Sequence, residues 1–119
     1  MHNGSELEVL AYTGEGYNAT FTFESWRVAF LNYAERFTRQ GITFLERHTK
    51  TDEVFVLLSG QATLLMGEHG EEVSMLPGKL YVVKKNAWHN IIVSEDAKIL
   101  IAENADTGRE NSEYMPFRA

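Results

Sequence analysis

Cysteine is absent from the 119 residues. That removes thiol catalysis, thiolate zinc sites and a disulfide framework together. Basic clusters are missing as well. With 11 Lys and Arg against 17 Asp and Glu, the net charge is −6, a poor balance for neutralising phosphates, so no nucleic acid partner is expected. No apolar run approaches the roughly 20 residues that cross a bilayer as a helix, so no membrane partner is expected either. The opening Met1-His2-Asn3-Gly4-Ser5-Glu6 has no cationic stretch leading into an apolar one, and a cytoplasmic location is the expectation. Neither G-x-x-x-x-G-K-S/T nor G-x-G-x-x-G occurs, so the phosphate-loop and dinucleotide signatures are missing. Ser94 and Asp96 lie near His89 in sequence, but no strand–turn–helix elbow surrounds that serine, which argues against a hydrolase triad. A long helix is lacking too; Asn32–Gln40 predicts a turn or two at most.

What is present is an ordinary apolar content of 44% in a chain long enough to bury a core without a metal or a disulfide. One domain over residues 1–119 is the expectation. Apolar residues alternate or run in short blocks separated by turn residues, a strand pattern. The predicted strands are Thr20–Phe23, Trp26–Tyr33, Ile42–His48, Glu53–Leu58, Ala62–Met66, Leu80–Val83, His89–Val93 and Ala97–Glu103. Ser59-Gly60 and Gly67–Gly70 read as hairpin turns. Pro77-Gly78 fits the centre of a type II turn, and Asn86 suits a left-handed residue. Short strands at this spacing predict an all-β sandwich or small barrel.

Two stretches carry polar residues where apolar ones belong. Side chains alternate along a strand, so Ile42, Phe44, Glu46 and His48 share one face, which should point inward. Glu53 opens an otherwise apolar strand, a costly place for a lone carboxylate. His89 shares a face with Ile91 and Val93. Two carboxylates and two imidazoles are thus expected to converge inside one barrel. His2 and His69, in a terminus and a glycine-flanked turn, read as solvent-exposed.

These stretches resemble the cupin superfamily, whose two motifs run G-x5-H-x-H-x(3,4)-E-x6-G and G-x5-P-x-G-x2-H-x3-N. His48-x4-Glu53-x6-Gly60 fits the second His, the Glu and the final Gly of the first motif, within residues 41–60. Glu46 stands at the first His, and Gly41 is one place from the expected glycine. Gly78-x5-Lys84-x-Asn86-x2-His89 keeps the spacing, the Gly and the His of the second motif, within 78–93. There Lys84 replaces Pro, Asn86 replaces Gly and Val93 replaces Asn. The resemblance implies a jelly-roll barrel, the double-stranded β-helix of cupins. It makes His48, Glu53 and His89 candidate ligands of one divalent transition metal (Mn, Fe, Ni or Zn), with Glu46 a fourth by substitution. Two imidazoles and two carboxylates suit such an ion, because the carboxylates cancel its charge.

A small-molecule ligand is the expected partner, with Phe44, Phe55 and Trp88 shaping an apolar pocket; Trp88 and Tyr81 are also candidates for stacking on the ligand or for packing. A metal-dependent enzyme is one reading. A non-catalytic sensor or storage module for a sugar, polyol or small acid is another, and a metal-free isomerase or epimerase using a His/Glu pair is a third. A homodimer is expected as well. Trp26–Tyr33 is apolar on both faces, and Val54, Val56 and Leu58 point away from Glu53, so one barrel interior cannot cover all of them. The alternative cover is the tail, Tyr114–Phe117.

Overall fold

Among the described residues the alternating apolar pattern closes into ten strands. They are β1 (Tyr17–Phe23), β2 (Trp26–Asn32), β3 (Phe44–His48), β4 (Glu53–Ser59), β5 (Ala62–Met66), β6 (Glu71–Ser74), β7 (Tyr81–Val83), β8 (His89–Val93), β9 (Lys98–Asn104) and β10 (Ser112–Pro116). The computed structural model describes residues 6–119, so His2 and the first five positions lie outside the described residues. Strands pair antiparallel into two five-stranded sheets, in the orders β1-β2-β9-β4-β7 and β10-β3-β8-β5-β6. The result is the jelly-roll barrel expected from the sequence.

Why the sheets face each other follows from the strand period. On β2, Ala29 and Leu31 are buried; on β9 Ile99 and Ile101 are, and on β4 Phe55 and Leu57. These meet Leu64 of β5 and Ile91 and Val93 of β8 in one apolar core. A smaller cluster of Ile42, Leu45 and Leu65, with Trp88, Ile92, Met115 and Phe117 against it, sits apart from that core. Ile42 therefore does not share the inward face with Glu46 and His48, because β3 begins only at Phe44 and strand alternation does not reach back to residue 42.

Ser59-Gly60 is not a hairpin turn: it joins β4 to β5, which belong to different sheets. Gly60 has φ +72, and a Cβ there would sit 2.6 Å from the backbone of Ala97. Gly67–Gly70 does make the expected hairpin, with β6 as its second arm. The stretch Asn32–Gln40 holds only a 3-10 turn, Glu35–Phe37. Neither β6, exposed along its whole length, nor β10 shows enough apolar alternation to be read in the sequence. Asn86 is left-handed, with φ 72, and its N–H donates to the His48 carbonyl at 2.8 Å. That bond ties the turn before β8 to the end of β3. Among the described residues no helix is long and apolar enough to cross a membrane.

Candidate metal and ligand site

Two facing strand rows build the site. In one sheet, register sets Glu46 of β3 opposite both His89 of β8 and Tyr114 of β10, and His48 opposite Ser112. From the other sheet come Glu53, at the start of β4, and Glu103, near the end of β9 opposite Arg27 of β2. Glu46, His48, Glu53 and His89 all line one cavity of about 840 Å³. The four residues expected from the sequence are thus brought together. Phe44 and Phe55 line this cavity. Trp88 does not: it packs in the smaller cluster, with the Arg47 guanidinium 4.4 Å from its ring centre. Tyr81 also packs rather than stacking on a ligand, its hydroxyl accepting from the Leu76 N–H. His69 is exposed, as expected.

The centre of the site is one oxygen. Glu53 Oε1 lies 3.1 Å from His48 Nε2 and 3.2 Å from His89 Nε2. It is buried, yet it makes no hydrogen bond of acceptable geometry. The outer nitrogens of the two rings are held from behind. His89 Nδ1 lies 3.0 Å from the Ala87 carbonyl. A carbonyl only accepts, so Nδ1 carries the proton and the Nε2 of neutral His89 is a bare lone pair facing a carboxylate oxygen. His48 Nδ1 is 2.8 Å from Ser112 Oγ. Glu46, His48 and His89 present donor atoms within 4.8 Å of one another, and so do His48, Glu53 and Glu103.

Charge is distributed unevenly among the carboxylates. Burial alone would raise Glu53, but the two imidazoles beside it outweigh burial and hold its carboxyl well below the usual range. Glu103 is pushed up to about 7, first by burial and then by the ionised Glu53, against the pull of Tyr17 and Arg27. Burial raises Glu46 too, with His89 and His48 opposing. Both imidazoles have raised pKa values: burial disfavours their charged forms, and Glu53 more than compensates.

Glu103, Tyr17, Arg27 and Ser112 are site residues that the sequence reading missed. The Tyr17 hydroxyl and Arg27 Nε both donate to Glu103 Oε2, the latter at 2.8 Å. A signal for Glu103 was there. It shares a strand face with Ile99 and Ile101, the same sign that marked Glu53. Ser112 left no such sign, because its strand carries little apolar alternation.

A family model described as the cupin domain matches residues 38–102, which include every position of both motifs. The chain belongs to the cupin-domain family. Among solved structures, this cupin is similar to Streptomyces PAC13 with uridine, at TM-score 0.66 and 14% identity, covering 91% of this chain and 84% of that one. Pac13 is described as a unique nucleoside dehydratase. It is also similar to a cupin-2 domain containing protein from Shewanella frigidimarina, at TM-score 0.60 and 18% identity over 78% of this chain and 84% of that one. KdgF from Halomonas sp. follows at 0.59 and 14%, covering 79% of each chain. At these identities the likeness speaks for the fold. No curated protein matches the sequence significantly.

Proposed function

We propose that this cupin binds a small organic molecule at one divalent transition metal held by His48, His89, Glu53 and Glu46. The observation that carries the reading is the convergence on Glu53 Oε1. Two ring nitrogens approach it at 3.1 and 3.2 Å without hydrogen-bond geometry, and the Nε2 of His89 offers it only a lone pair whenever that ring is neutral, the form a metal ligand takes. Lone pairs facing one another repel unless a cation lies between them. Donors bound at about 2.1 Å to a shared ion stand roughly 3.0–3.5 Å apart, which matches this spacing. The backbone carbonyl behind His89 and the hydroxyl behind His48 are the outer partners that ligating imidazoles take. Two imidazoles and two carboxylates fit Mn, Fe, Ni or Zn, with the ion's charge cancelled. Bound there, the ion supplies Lewis-acid or oxygen-activating chemistry. The chain's own residues orient it, and Phe44 and Phe55 offer apolar wall to a ligand. Similarity to a protein described with uridine supports a ligand of that size.

Elemental analysis of protein purified without a His-tag or added metal tests this. One equivalent of Mn, Fe, Ni or Zn per chain is the expected result; a metal-free preparation that takes up none on addition overturns it. The second reading would then stand. The imidazoles are raised by Glu53, so a His/Glu pair is poised for proton transfer without metal, as an isomerase or epimerase needs.

The quaternary reading is a homodimer. The outward face of the first sheet is apolar from edge to edge: register aligns Phe21, Val28, Ala102, Val54 and Val82 across all five strands. Phe30, Leu100 and Val56 make a parallel row. Such a face suits a second copy related by a two-fold axis. The tail does not cover it, since Ser112–Pro116 pairs with β3 in the other sheet.

A further inference from the structure

The cavity that holds the imidazoles is also lined by exposed cations that make no ion pair among the described residues. Of the six arginines in the chain, Arg27, Arg39 and Arg47 are each ion-paired, to Glu103, Glu72 and Glu113. Arg36 and Arg109 line the cavity. Both are exposed, and neither has an acidic partner among the described residues, although Glu35 and Glu110 are their chain neighbours. Their placement is not loose. The Arg36 guanidinium lies 4.7 Å from the Phe37 ring centre, and its Nη2 would stand 3.2 Å from a Cβ on buried Gly16. The loop before Arg109 is pinned from below. Arg27 donates to the carbonyls of Ala105 and Thr107 at 3.0 and 2.9 Å. The Asn111 side chain donates to the Asp106 carbonyl and accepts from the Gly108 N–H.

We infer that Arg36 and Arg109 are the specificity residues of this cavity, and that its ligand is a small organic anion, a carboxylate or a phosphate ester. The inference rests on the reading of the cavity as a small-molecule site. A chain of charge −6 repels anions at long range, so two unpaired guanidiniums at one mouth create the local field that admits one. Guanidinium heads also match both oxyanions in shape. Glu46, Glu53 and Glu103 in the cavity are already matched by the imidazoles, by Arg27 and by the proposed ion, which leaves the two free guanidiniums as the uncompensated charge. The ligand's anionic end is therefore held at the mouth, and its uncharged end reaches towards the imidazoles past Phe44 and Tyr114, whose rings meet edge to face at 5.5 Å.

The test is calorimetric titration of the protein as isolated with two matched pairs, uridine against uridine 5′-monophosphate and benzyl alcohol against benzoate. The anionic member of at least one pair should bind about tenfold tighter or more, as charge-assisted hydrogen bonds allow. Which pair responds separates phosphate from carboxylate. The preference should shrink as salt rises and vanish in the Arg36→Gln/Arg109→Gln double variant, whose metal content should equal that of the wild type. No preference in either pair overturns the inference, and so does a preference that survives the double variant. Metal-free protein that still prefers the anion would sink the metal reading and leave this one standing.

Discussion

At the scale of single residues, the site turns on which atoms are already occupied. His89 spends Nδ1 on the Ala87 carbonyl and His48 spends its own on Ser112, so both direct Nε2 to the same carboxylate oxygen. His48→Ala and His89→Ala should each abolish metal binding while leaving a β-rich far-UV spectrum; full occupancy in either variant would remove that residue from the site. Glu46→Gln keeps the shape and removes the charge. It should weaken metal affinity by about tenfold, the lower end of what a lost partner costs, whereas Glu46→His should bind at least as well. Unchanged affinity in Glu46→Gln would place Glu46 outside the ligand set. Ser112→Ala leaves His48 without its rear partner and should weaken metal binding by a similar factor. A competition assay against a chromogenic chelator reads all of these.

At the scale of elements, the site exists because strands far apart in sequence are held in register. Strand β10 brings Ser112 behind His48, and Asn86 ties the entry of β8 to the end of β3. The sharpest local demand is the crossing between sheets at Gly60. Alanine there would take a left-handed conformation that costs an L-residue about 1–2 kcal/mol, and its Cβ would meet Ala97 backbone at 2.6 Å. Gly60→Ala should therefore lower stability by about 2 kcal/mol or more in urea unfolding. A loss under about 0.5 kcal/mol would show that β4 and β5 can shift to make room, at odds with the close packing of protein interiors.

At the scale of the whole molecule, the question is what covers the outer face of the first sheet. Part of it borders its own chain: Leu7 and Leu10 line a shallow groove with Phe21, Val28 and Phe30. Beyond that groove, Val82 is 46% exposed and Leu58 48%. Val56→Lys introduces a charge where the second copy would sit, so it should split the dimer or make the protein insoluble. Light scattering at micromolar concentration measures this, and a monomer mass for the wild type would rule the dimer out. Deleting Tyr114–Ala119 is not a clean control, because it removes most of a strand that lines the cavity.

The strand period and the turn residues by themselves determined the fold class, most strand positions and the four residues of the candidate site. A polar residue on an otherwise apolar strand face is costly and therefore visible: Glu53 and His89 stand out that way, and Glu103 carries the same mark, whereas Glu46 and His48 follow from strand alternation with Phe44. What needed the tertiary structure were facts of pairing across long stretches of chain. Whether Ser59-Gly60 folds a strand back within its sheet or hands it to the other depends on which strands lie beside it, because both paths require the same left-handed glycine. Strands β6 and β10 carry few buried side chains and are ordered by hydrogen bonds to neighbours, which leave no periodicity. The cluster around Glu103, with Tyr17 and Arg27 from strands 70 or more residues away, is a product of sheet register alone, and so is the pair of unpartnered arginines at the mouth. An ion pair made or missing in three dimensions has no signature in the order of residues.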